Sequence, residues 1–129
     1  MSNFSAIESR PLLVTDQINE LLDFDDDDEF FNETVDEFEE QMQVGLEELN
    51  SLWATQTHPE FSKKAHFLKG SCLALGCERV AFILSKLEIE SPGKDDEEFC
   101  IRALKILTES WQNTLPLLKG YPDFKRASE

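Results

Sequence analysis

The chain has 129 residues, 40% of them hydrophobic and 30% charged, with a formal net charge of −15. That length supports one domain with a real core, expected over residues 1–129, with the packed part at about 15–120 and looser ends at 1–14 and 121–129. No apolar run approaches the length needed to cross a bilayer, so a membrane role is not expected.

The charge is unevenly spread. Residues 1–50 hold 16 acidic side chains and one basic, Arg10, whereas residues 51–129 hold 11 of each. No basic footprint exists to neutralise phosphates along a duplex, which argues against nucleic-acid binding. The first residues, MSNFSAIESR, lack the charged and apolar regions of a secretory signal, so the expected compartment is the cytoplasm, with the nucleus open to a chain this small. Cys72, Cys77 and Cys100 are an odd set without CxxC spacing, and neither His58 nor His66 stands at ligand distance in sequence from them. No metal site and no disulfide framework is expected. Cys72 falls at a core position and Cys77 at an exposed one.

Taken in order, residues 1–14 show no clear period. A short helix follows, capped by Thr15 and burying Ile18, Leu21 and Leu22. The run from Asp23 to Glu29 is read as a solvated loop and helix start, its carboxylates favoured by the helix dipole. A long helix is expected from Asp28 to about Thr55, where Phe31, Val35, Phe38, Met42, Leu49 and Leu52 hold one stripe. Gly45 falls on that stripe and predicts a close helix crossing. Gln56 to Pro59 is a loop. The next helix carries Phe61, Ala65, Leu68, Cys72 and Leu75 on its apolar side and ends at Gly76, a suitable left-handed cap. Another opens near Glu78 and buries Val80, Ile83, Leu84 and Leu87, leaving Arg79 and Lys86 outside. A turn at Ser91 to Gly93 leads to a last helix, with Cys100, Leu104, Leu107, Trp111 and Leu115 inward. Pro116 is expected to kink or end it. The fold class is all-α: an antiparallel up-down-up-down four-helix bundle with an additional short N-terminal helix.

Chemistry concentrates between Lys63 and Gly76. At about 100° per residue, His66 lies well off the apolar stripe and is expected to face solvent. Lys63 and Lys69 lie three residues to either side and share its face. Gly70 lies one turn further on and costs the helix roughly 1 kcal/mol relative to Ala, which suggests that something must approach His66 closely. A neutral imidazole is a nucleophile that can carry a covalent group, and a nearby ammonium would stabilise an anionic one such as phosphoryl. Phe67 also falls off the stripe and, with Lys63, is a candidate docking contact. An isolated exposed histidine is nevertheless surface far more often than site.

The segment AHFLKGSCLALG resembles the active-site helix of histidine phosphotransfer (HPt) domains, with His66, Leu68, Lys69, Gly70, Ser71, Leu75 and Gly76 matching. The acidic run before a long amphipathic helix is similar to that of the fungal YPD-type phosphorelay intermediates. The resemblance implies that His66 is phosphorylated, that Lys69 supports the phosphoryl group, that Gly70 leaves room for a partner, and that Ser71 serves local structure. It implies two partners, the receiver domain of a hybrid sensor histidine kinase and a response-regulator receiver domain, with Mg²⁺ held on the receiver and no cofactor on this chain. Several members of the family place a Gln on the next helix, near the site, where Glu88 aligns in this chain. A carboxylate there would oppose a phosphoryl group, so the position of Glu88 matters. No Gly-rich phosphate loop is present, and neither ATP hydrolysis nor self-phosphorylation is expected. A monomer is expected. The competing reading is a non-catalytic acidic bundle that binds a basic partner, with His66 incidental.

Overall fold

A computed structural model describes residues 4–24, 28–90 and 97–129. Six helices account for most of them: α1 (Ser5–Glu8), α2 (Asp16–Phe24), α3 (Glu29–Ala54), α4 (His58–Ala74), α5 (Glu78–Glu90) and α6 (Glu97–Ser128). The four long helices form a ring of neighbours, α3 against α4, α4 against α5, α5 against α6 and α6 against α3. Side-chain pairs give the directions. Glu48 meets Lys64 while Met42 meets Cys72. Ser62 near the start of α4 meets Glu88 near the end of α5, while only three residues join the end of α4 to the start of α5. Asp28 meets Arg126 while Phe38 meets Trp111. Each neighbour therefore runs opposite to the last, as the amphipathic stripes and short turns require.

The core is the set of stripes read from the sequence. Phe31, Val35, Phe38, Met42 and Leu49 of α3, Phe61, Ala65, Leu68 and Cys72 of α4, and Val80, Ile83, Leu84 and Leu87 of α5 are all buried. Gly45 marks the α3–α4 crossing: a Cβ built on it would stand 2.6 Å from Leu68 Cδ2. Only a residue without a side chain lets Leu68 seat against the α3 backbone at that point.

The turn after α4 is a Schellman motif. Gly76 has φ +72°, the Cys77 N–H donates to the Cys72 carbonyl at 2.9 Å, and the Gly76 N–H donates to that of Leu73 at 3.2 Å. The Gly76 carbonyl then accepts the Val14 N–H at 2.7 Å, so the cap also anchors the segment before α2. The turn after α3 repeats the motif with Gln56 at φ 56° in the left-handed position, the Thr57 N–H reaching the Leu52 carbonyl.

Several expectations are corrected. Two short helices, not one, precede the bundle, and the N-terminal segment is packed: Ile7 is buried, Phe4 stacks on Phe99 at 5.4 Å, and Arg79 donates to the Glu8 and Arg10 carbonyls. Arg79 and Lys86 are half-buried rather than outside. The last helix neither ends nor is interrupted at Pro116. It runs through Pro116 and Pro122 to Ser128, because Thr114, Leu118 and Pro122 extend its buried side at four-residue intervals. Pro116 itself is exposed, so the carbonyl its ring leaves without a helical partner lies on the solvent side, where water can serve it. Residues 121–128 are therefore helical: Tyr121 Oη donates to Asn19 Oδ1 at 2.7 Å, and Lys125 and Arg126 pair with Asp23 and Asp28. Asp28 precedes α3 with φ 63° instead of opening it. Cys77 is buried, and that burial pushes its thiol up to about 12. Asp25 to Asp27 and the expected turn at Ser91 to Gly93 lie outside the described residues.

Candidate functional site

α4 presents its polar side over α5. Phe61, Ala65, Leu68 and Cys72 pin one face of α4 to the core, which fixes the rotation of the helix and turns His66 outward. The His66 side chain is 66% exposed. A Cβ at Gly70 would meet nothing within 4 Å, so the surface one turn along is open. Phe67 is 53% exposed and Lys63 is exposed beside it. Lys63, His66, Phe67 and Gly70 are thus exposed on α4, with Lys69 half-buried at their flank.

Glu88 completes the arrangement. Its carboxylate stands 3.0 and 3.1 Å from His66 Nδ1 and accepts a hydrogen bond from Lys69 Nζ at 3.1 Å. Ser62 Oγ donates to the Glu88 backbone carbonyl at 3.3 Å, so the start of α4 holds this part of α5 in register. Burial alone would raise the Glu88 carboxyl, but the hydrogen bonds from Lys69 and His66, with their charges, outweigh it and hold it below the ordinary carboxylate range. An ionised carboxylate only accepts, so Nδ1 carries the ring proton. Nε2 is then the nitrogen with the free lone pair.

The expected pattern of cations is altered by these pairings. Lys69 is tied to Glu88 instead of standing free beside the ring, and Lys64 is paired with Glu48 at 2.8 Å. Ser71 is half-buried and faces away from His66, into a groove of about 730 Å³ between α2, α3 and α4. The groove is walled by Leu21, Phe24, Phe30, Phe38, Ala74 and Leu75. Phe24 is 84% exposed and its ring lies 6.3 Å from that of Phe30. Sequence reasoning missed this surface. Its signal was two phenylalanines outside any apolar stripe, set among carboxylates that a solvated loop would not need to punctuate with aromatics. Among the described residues no three His, Cys, Asp or Glu side chains converge to hold a metal ion.

Comparison with known proteins places this geometry. The signature of the Hpt domain matches residues 33–114, which include all of α4 and α5 and hence His66, Lys69, Gly70 and Glu88. The chain belongs to the Hpt domain family. Among curated proteins, the phosphorelay intermediate protein YPD1 of Saccharomyces cerevisiae is 32% identical over 84 residues, which are 64% of this chain and 49% of the yeast protein. The chain thus spans about half the length of that relative. No solved structure gives a significant match. For an Hpt domain, the helix bundle and the motif helix α4 are as the resemblance implied. Glu88, the position the resemblance singled out, touches the imidazole.

Proposed function

We propose that this Hpt domain is a phosphorelay intermediate. His66 accepts a phosphoryl group from an aspartyl phosphate on the receiver domain of a hybrid sensor histidine kinase and passes it to an aspartate of a response-regulator receiver domain. The observation that carries this reading is the outward-facing imidazole whose Nδ1 is held by Glu88 while the helix beyond it, at Gly70, is bare. The Nε2 lone pair attacks phosphorus in line, the bond from phosphorus to the aspartyl oxygen breaks, and that electron pair returns to the aspartate as carboxylate. Lys69 supplies positive charge from this chain, and Mg²⁺ held on the receiver supplies the rest. Phe67 and Lys63 flank the reacting ring as docking contacts, and the aromatic groove beside Ser71 extends the surface a receiver would cover. No helix among the described residues is long and apolar enough to cross a membrane. We place the relay in the cytoplasm, with access to the nucleus, acting as a monomer.

The test is incubation with a receiver phosphorylated on its aspartate. Label should move to this chain, survive alkali and be lost in acid. His66→Gln should take up none. Transfer that persists in that variant would remove His66 from the role.

A further inference from the structure

Glu88 occupies a position where a negative charge works against a neighbouring phosphoryl group, yet the fold holds it against Nδ1 by two independent ties. Lys69 Nζ bonds the carboxylate at 3.1 Å, and Ser62 Oγ bonds the Glu88 backbone at 3.3 Å. The charged groups around the ring are few. Glu88 faces it from α5, and Lys69 and the exposed Lys63 lie on its own helix. Lys64 is engaged with Glu48 of α3, and Lys86 of α5 lies over the Phe82 ring. The carboxylate is the charged group in hydrogen-bond contact with His66.

We infer that Glu88 makes phosphorylated His66 a donor poised for onward transfer, by holding the proton on Nδ1 throughout the cycle. This deepens the relay reading and rests on it. The atom balance shows why the proton matters. When Nε2 takes the phosphoryl group, the ring keeps its Nδ1 proton and becomes a cationic phosphoimidazole. When the N–P bond breaks, its electron pair returns to Nε2 and the ring leaves as neutral imidazole, with no proton moved in either direction. A phosphorylated ring that had lost the Nδ1 proton would have to leave as imidazolate, a far poorer leaving group. A carboxylate facing Nδ1–H favours the cationic ring, and a neutral amide in its place favours it less. Glu88 is thus a positioning residue that acts through His66, and the domain is built to pass the group on rather than to store it.

The experiment compares wild type with Glu88→Gln, a change of nearly equal volume at a partly exposed position. Each is loaded both from the phosphorylated receiver and chemically with phosphoramidate, which needs no partner, and loss of label and transfer to a fresh receiver are followed against pH. Near neutral and mildly alkaline pH, Glu88→Gln should lose and transfer label about fivefold more slowly, the difference expected between a charge-assisted and a neutral hydrogen bond. In mild acid, where bulk protons protonate the ring in either protein, the rates should converge. Superimposed pH profiles, or slowing by an equal factor at every pH, would overturn the inference and leave the relay reading standing. Wild type that accepts label on His66 by neither route would bring down both.

Discussion

At Gly70 the absence of a side chain is not explained by helix stability. A glycine here costs roughly 1 kcal/mol relative to Ala, and nothing within 4 Å requires it. On the proposed relay reading, the open space admits the approaching receiver. Gly70→Gln should leave the fold intact, with an unchanged or slightly higher melting temperature, while slowing phosphoryl uptake tenfold or more; a normal rate would dismiss the access argument. Lys69→Ala should shorten the lifetime of the phosphorylated form, measured by loss of label after removal of the receiver. It also removes one of the two ties on Glu88, so its crystal or NMR structure should show that carboxylate shifting relative to His66. At this scale the motif residues were readable because each follows from its register on one helix. What Glu88 does was not, because a distance between two helices is not written in the spacing of either.

The helix ends repeat one device twice with different residues. Gly76 and Gln56 both take the left-handed conformation that closes a Schellman motif. The first does so at no steric cost, the second at about 1 kcal/mol. Their neighbourhoods differ too, since a Cβ on Gly76 would stand 1.8 Å from the Val14 carbonyl oxygen. Gln56→Gly should therefore be neutral or stabilising by up to about 1 kcal/mol, and Gly76→Ala destabilising by more than that, both by chemical denaturation. Equal effects would show that the Val14 contact relaxes freely. The sequence announces the Gly76 cap and hides the Gln56 one, because glutamine is ordinary in a helix and only the surrounding hydrogen bonds commit it. The stripes of α3, α4 and α5 were legible for the opposite reason: burial on one face dictates residue type at every turn, and Phe31, Leu68 and Ile83 could hardly be elsewhere.

Across the whole molecule, α6 is the element that local rules describe worst. Two prolines and a glycine argue for a break after Leu115, yet Thr114, Leu118 and Pro122 keep one face in the core and the helix continues. Packing here outweighs a penalty of about 3 kcal/mol for an interior proline. The extra turns bring Tyr121 to Asn19, a bond of 2.7 Å that ties the last helix to α2. Tyr121→Phe should cost about 1 kcal/mol in urea denaturation, and faster amide exchange in α2 than in α3 should accompany it. An unchanged stability would mean that water replaces the hydroxyl at no loss. The acidic stretch before α3 is misjudged by the same blindness to distance. Asp23 and Asp28 are not merely solvated, because the far end of the chain brings Lys125 and Arg126 to them.

That clasp makes ionic strength a control on one wall of the molecule. Dissolved ions screen exposed charges more than about 10 Å apart at 0.1 M, and more than about 3 Å apart at 1 M, and leave hydrocarbon contacts intact. Salt near about 1 M should therefore loosen the exposed Lys125–Asp23 pair, and with it the end of α2, whose Phe24 borders the aromatic groove, while the largely buried Asp28 keeps its pairing with Arg126. A receiver would then meet a site with its imidazole unchanged and its rim widened, and rates measured in dilute and in concentrated buffer would differ by what that rim contributes.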